Sequence, residues 1–306
     1  MLECVVNISE GRSPDVVDAL TRAAGPALLD VHTDADHHRS VFTIADVDPG
    51  ATEASARRLA TAAARALTLT DHDGVHPRLG VIDVVPFVSL DPTPPQVAVD
   101  AARAFAAWIG AELAVPAFLY DLADPGHRTL PEVRSSAFSV LAPDAGPPAP
   151  HPTLGATAVG ARRVLVAVNV ELADDDLDLA RAVARGVRER DGGLPGLRAL
   201  GLRLGSRARA QVSMNLVDLD ATGLEPACVA VRNRVENAGG RVGRVELVGL
   251  VPAAVLAACS PEFLDWSGLS ARVTVEQRAG AHRPDPGGGA AGAGDATPAA
   301  GRANPA

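Results

Sequence analysis

Residues 27–46, "ALLDVHTDADHHRSVFTIAD", decide the fold. Two apolar runs, "ALLDVHT" (27–33) and "SVFTIAD" (40–46), flank a short polar turn, the pattern of two adjacent strands. Ahead of them "ECVVNIS" (3–9) reads as a strand. Ser13-Pro14-Asp15 then opens a helix, with an N-cap, a proline in the first turn and an acid favoured by the helix dipole. An Ala-rich helix over roughly 51–67 and a strand "VIDVVPF" (81–87) follow.

That order, β-α-β-β-α-β, is the split unit of ferredoxin-like folds. Thr93-Pro94 starts a further helix reaching about 113, ahead of a short strand "AFLY". The second half repeats the plan: strand 163–170, helix 174–190, strands 197–204 and 210–218, a helix near 225–238 and a strand 244–250. The expected class is α/β (α+β): two ferredoxin-like βαββαβ subdomains with mixed sheets. Residues 142–162, rich in Pro and Gly, read as too polar and broken for strand or helix, and as either a binding loop or a bare linker. The last 28 residues contain 21 Ala, Gly or Pro and are expected to be disordered, which also discounts His282.

Composition excludes several chemistries. The chain has 306 residues, 47% of them hydrophobic, and no apolar run of the ~20 residues a membrane span needs. "MLECVVNISEGR" has no basic region before an apolar core, so no signal peptide is expected. Cys4, Cys228 and Cys259 are odd in number and lack CxxC spacing, which fits reduced thiols in the cytoplasm. A net charge of −9 argues against a nucleic-acid binder. All 28 basic residues are Arg, which excludes a lysine Schiff base and a Walker A lysine. Anionic ligands must be held by Arg, backbone N–H groups or helix N-termini.

Five of eight histidines lie in "HTDADHHR" (32–39) and "DHDGVHPRLG" (71–80). A metal site is disfavoured, because neighbours in an extended chain face opposite ways and no HExxH or DxDxDG pattern is present. Proton transfer suits His76, which Pro77 holds extended at the mouth of a strand. Asp71, Asp73 or Asp83 could orient its ring, while His72 reads as an ordinary turn residue. A solvated polar turn remains the bland reading of the same ten residues. Arg39 and Arg78 each have the fork geometry to grip a carboxylate, and unpartnered surface arginine is the plain alternative.

Taken together, "ECVVNISEGR", "LLDVHTDADHHRSVFT", "HPRLGVIDVVPF", "PDAGPPAPHPTLGATAVGAR", "AQVSMNLVDLDATGL" and "ELVGLVP" resemble the formiminotransferase family over residues 2 to about 277. The resemblance implies two subdomains, 1–161 and 162–278, followed by a tail at 279–306. It further implies a homodimer, tetrahydrofolate as acceptor substrate, formiminoglutamate as donor and no metal. By that resemblance His76 is the catalytic histidine. The folate loop falls on Gly146 through Gly155, naming Gly146, Pro147, His151, Pro152, Thr153 and Gly155, and the Asn7–Gly11 turn brings Asn7, Ser9 and Glu10 to the site. Arg39 and Arg78 are the candidate grips for substrate carboxylates.

This chain departs from the family in places. His32 stands where better-known members carry an acid thought to assist catalysis, so His32 joins the catalytic candidates. Pro150 and Leu154 replace aromatic positions of the loop, and Val6 replaces a proline. No cyclodeaminase region is expected. A relative using another formimino or formyl donor, a non-catalytic folate binder and a metal-assisted amidohydrolase are the alternatives.

Overall fold

The computed structural model describes residues 1–70, 72 and 78–282. The first unit runs β1 (Leu2–Ile8), α1 (Pro14–Ala24), β2 (Leu28–Asp34), β3 (Arg39–Asp46), α2 (Pro49–Ala66) and β4 (Ile82–Ser89). Its strands lie in the order β2-β3-β1-β4, all antiparallel. Alternation builds the sheet's two faces. Leu2, Cys4, Val6 and Ile8 enter the core with Phe42 and Ile44, under α1 and α2. Glu3, Val5 and Asn7 take the other side of β1 by the same period of two. At the start of α1, Ser13 is the N-cap by position but makes no side-chain cap bond. Glu10 Oε1 instead accepts from Arg12 N (2.6 Å) and Ser13 N (2.9 Å).

The sheet then grows. Helix α3 (Pro95–Glu112) leads to β5 (Ala117–Asp121), the short helix α4 (Leu130–Ser136) follows, and β6 (Thr157–Ala161) inserts between β4 and β5, parallel to both. Strand β6 overturns the expectation that 142–162 lacks regular structure. Its sequence TAVGA is wholly buried, and small side chains are what the site admits. A Cβ at Gly160 would sit 2.4 Å from the Tyr120 ring. Helix α4, also unanticipated, is held by a capping box between Thr129 and Glu132 and drops Val133 onto Phe118 and Tyr120.

The second unit repeats the first: β7 (Val166–Leu172), α5 (Leu177–Val187), β8 (Leu197–Leu204), β9 (Arg209–Leu216), α6 (Leu224–Asn237) and β10 (Val242–Val248), in the order β10-β7-β9-β8. Only the first sheet is mixed; every pairing in the second is antiparallel. Helices α7 (Ala253–Ala257), α8 (Pro261–Ser267) and α9 (Val275–His282) follow, and α9 carries helix through 279–282, the start of the segment expected to be disordered.

The units meet in a small apolar patch where Leu29, Ala45, Val88 and Leu90 pack on Leu250 and Val275. Arg278 adds a 3.3 Å ion pair to Asp30. Glu3, paired in register with Ala45 and Val88, lies at this seam. Burial pushes its carboxyl up to about 7 against the pull of Arg162, with Glu276 adding to the rise. Among the described residues no helix is long and apolar enough to cross a membrane.

Candidate functional site

The β2–β3 hairpin carries a polar tip that folds back on the end of β1. Its last register pair is Asp34 with Arg39, and His38 turns the chain in the left-handed region at φ 49°. Asp34 accepts from His37 N (2.8 Å) and lies 3.0 Å from His37 Nδ1. Burial alone would raise the Asp34 carboxyl, but the His37 contacts prevail and leave it at about 2. His38 Nδ1 accepts from Gly11 N (3.2 Å), while Glu10 Oε1 at 3.7 Å is outside hydrogen-bond reach.

His72 stacks on His38, with ring centroids 4.0 Å apart and planes 27° from parallel. Arg78 Nη1 lies 2.6 and 2.7 Å from the two ring nitrogens of His72, and the same guanidinium donates to the His37 and His38 carbonyls. His72 Nε2 lies 3.1 Å from the Ser9 carbonyl. Burial lowers the pKa of both imidazoles, and Arg78 lowers both further; His72 and Arg12 also act on His38, against Glu10. Two imidazoles held toward their neutral forms, beside a cation, suit proton transfer near neutral pH. His72, an ordinary turn residue on sequence grounds, is thus part of the cluster. His76 and Pro77, with Asp71, Asp73, Gly74 and Val75, lie outside the described residues.

Behind this tip Arg39 runs inward. It forms an ion pair with Asp83, a residue with no exposed surface, and Arg134 of α4 reaches the same carboxylate oxygen at 2.7 Å. Leu79 N donates to the other oxygen at 2.6 Å. Burial, together with the charges of Arg134 and Arg78, brings Arg39 down to about 9. Asp83 therefore anchors arginines and the backbone. Arg134 carried no sequence signal beyond the capping box of its helix.

The Gly/Pro-rich loop meets the same region from the other side. His151 and Gly155 exchange both backbone hydrogen bonds (2.8 and 2.9 Å), and His151 Nδ1 accepts from Leu154 N (3.1 Å), so this end is a tight turn. Leu69 N donates to the Thr153 carbonyl, Val81 N to Leu154 and Ala156 N to Leu79. Gly155, at φ +71°, approaches Gly80 so closely that a Cβ would lie 2.4 Å from the Leu79 oxygen. Leu154 is buried in the main core, so it offers no surface for ring stacking, whereas Pro150, Pro152 and Thr153 are exposed. Gly146, next to Pro147, packs instead against Gly110 and Val115 at the far end of α3.

Comparison with known proteins completes the picture. The family model described as formiminotransferase domain, N-terminal subdomain, matches residues 1–162, and that for the formiminotransferase domain matches 167–278. A glutamate formimidoyltransferase of Streptococcus pyogenes serotype M1 is 38% identical over 271 residues, covering 84% of this chain and 90% of that protein. One from Thermoplasma acidophilum is 32% identical over 295 residues, covering 91% and 97%. The chain belongs to the formiminotransferase family. It spans about half of the formimidoyltransferase-cyclodeaminase of Sus scrofa, with 35% identity over 281 residues that make up 51% of that protein.

Against the expectations for a formiminotransferase, the structure gathers Glu10, Arg78 and the Ser9 carbonyl at the histidine pair and sets Thr153 beside Leu69, and Gly155 beside Leu69, Leu79 and Gly80. Ser9 is buried, its hydroxyl donating to the Gly80 carbonyl at 2.8 Å, so it fastens two strands. Asn7 donates to the Val5 carbonyl at 3.0 Å. His32 lies mid-strand opposite Val41, on the face it shares with Asp30 and Asp34. Among the described residues no group of three or more His, Cys, Asp or Glu side chains converges as a metal site would require.

Proposed function

We propose that this protein transfers the formimino group of N-formimino-L-glutamate to N5 of tetrahydrofolate, releasing glutamate and 5-formiminotetrahydrofolate. The observation that carries this reading is the match of both subdomain models, in order, across residues 1–278, with relatives named glutamate formimidoyltransferase at up to 38% identity. The subdomains are assigned to 1–161 and 162–278, with a tail at 279–306. Folate lies in a groove between them, and the protein works as a cytoplasmic homodimer.

N5 attacks the formimino carbon, and the bond from that carbon to the glutamate nitrogen then breaks. One proton must leave N5 and one must reach the departing nitrogen. A histidine near neutral pKa performs both in turn. We assign that role to His76, with His32 as the second candidate. The stacked His38–His72 pair and Arg78 set the polarity of the surroundings. Arg78 and Arg39 are the assigned grips for the donor's carboxylates, with Arg39 aligned by Asp83. Glu10 fixes the hairpin tip, and Asn7 and Ser9 line the end of β1. The loop Gly146, Pro147, His151, Pro152, Thr153 and Gly155 is assigned to folate. Proton transfer suffices for this chemistry, so no metal is invoked.

The test is consumption of formiminoglutamate by purified protein with and without tetrahydrofolate. Turnover is expected only with folate, and His76→Ala is expected to cut it ~100-fold or more. Folate-independent turnover, or an unaffected His76→Ala variant, overturns the reading.

A further inference from the structure

Strand β9 alternates strictly. Ala210, Val212, Met214 and Leu216 enter the core of the second unit, so Gln211, Ser213 and Asn215 face the other side of the sheet. Gln211 has no exposed surface, and neither its Oε1 nor its Nε2 has a hydrogen-bond partner among the described residues. Polar neighbours on that face are engaged. Asn169 donates to Glu246 at 3.4 Å, and Glu171, the cross-strand partner of Gln211, accepts from Arg207 and Arg244 at 2.7 and 2.8 Å. A buried amide with both ends idle lowers the stability of the free protein, and such a group calls for a specific explanation.

Two contacts turn this face toward the first sheet. Ser206, at the β8–β9 tip, donates from N (3.0 Å) and Oγ (2.7 Å) to Asp36 at the β2–β3 tip. Gly249 lies against Thr43, with a Cβ there only 3.1 Å from its hydroxyl oxygen, and that oxygen is also buried without a hydrogen-bond partner among the described residues. Gln211 is the third residue of β9, so the Asp36–Ser206 contact puts its end of the strand next to the hairpin tip that holds His37 and His38.

We propose that Gln211 reads the edge of the tetrahydrofolate pterin ring, an inference that rests on the formiminotransferase reading above. A primary amide presents a C=O acceptor and an N–H donor side by side in one plane. The lactam edge of a pterin presents the complementary pair, so two parallel hydrogen bonds satisfy both idle ends of Gln211. The p-aminobenzoyl amide of folate cannot do the same, because its N–H and C=O point opposite ways. Arg207 and Arg244, both held by Glu171 beside Gln211, are about half exposed at 49% and are the side chains that move to admit the ring.

The experiment compares wild type, Gln211→Leu and the straighter Gln211→Met in calorimetric titrations with tetrahydrofolate and with p-aminobenzoylglutamate, which lacks the pterin, and in thermal melts of the free proteins. Both variants are expected to bind tetrahydrofolate at least ~10-fold more weakly. Their p-aminobenzoylglutamate binding and KM for formiminoglutamate are expected to stay at wild-type values, and their free Tm to rise by about 2 °C. Unchanged tetrahydrofolate binding overturns the proposal, as does a fall in Tm with equal losses for both ligands. Wild type that fails to bind tetrahydrofolate at all defeats the formiminotransferase reading itself, a different outcome.

Discussion

In the first unit a buried carboxylate is held by arginines that are buried with it, whereas in the second, built on the same strand order, the arginines around a buried carboxylate stay near water. Asp83 is fully buried between Arg39 and Arg134, whose side chains are 14% and 16% exposed. Its counterpart in complexity is Glu171, gripped by Arg207 and Arg244 at 49% exposure. The difference traces to the extension of the first sheet. Strands β5 and β6 widen it and α4 roofs that extension, supplying Arg134 and excluding solvent. The second sheet gains no strand and no roof helix, so the arginines that hold Glu171 keep about half their surface exposed. One topology can thus serve as a rigid holder of charge or as a polar wall, according to what is added after its fourth strand.

The largest expected effect that tests this contrast is the loss of Asp83. Asp83→Ala leaves two inward-facing guanidinium groups without their shared carboxylate and should lower stability by about 3–5 kcal/mol in denaturant melts. Glu171→Ala should cost far less, since its arginines can turn to water. Equal losses at the two sites would erase the distinction.

A smaller effect concerns pH. Glu3, with an ordinary value of 4.5 and a folded value of about 7, keeps its proton in the native state while the unfolded chain loses it. Its contribution is full below pH 4.5 and is lost as pH rises through 7. Glu3→Gln should therefore melt above wild type at pH 8, with a gap that opens between pH 4.5 and 7; a gap independent of pH would refute the assignment. The smallest effect belongs to the seam of hairpin tips. Ser206→Ala removes the exposed hydroxyl bond to Asp36 but keeps the backbone N–H bond, and should shift stability by no more than about 1 kcal/mol in the same melts.

Both βαββαβ units were legible because their strands alternate or run apolar and three of their four helices start at Ser or Asp. Strand β6 was hidden because TAVGA lacks the branched and aromatic side chains that mark a strand, and its burial depends on the Tyr120 ring above Gly160. At the site, sequence picked out Arg39 but not its environment, since Asp83 and Arg134 are 51 positions apart and meet only through the roof helix. His72 looked plain because stacking on His38 requires the hairpin tip to fold back, which no local pattern records. Leu154 stands at an aromatic position of the family's loop, yet its side chain is a core residue.

The backbone bonds that tie the loop down have a practical consequence. The amides of Leu69 and Val81 donate to the carbonyls of Thr153 and Leu154. Any ligand that shifts this turn must stretch or shorten those bonds, so the exchange of two amide protons with deuterium reports occupancy of the loop without a label, a chromophore or turnover.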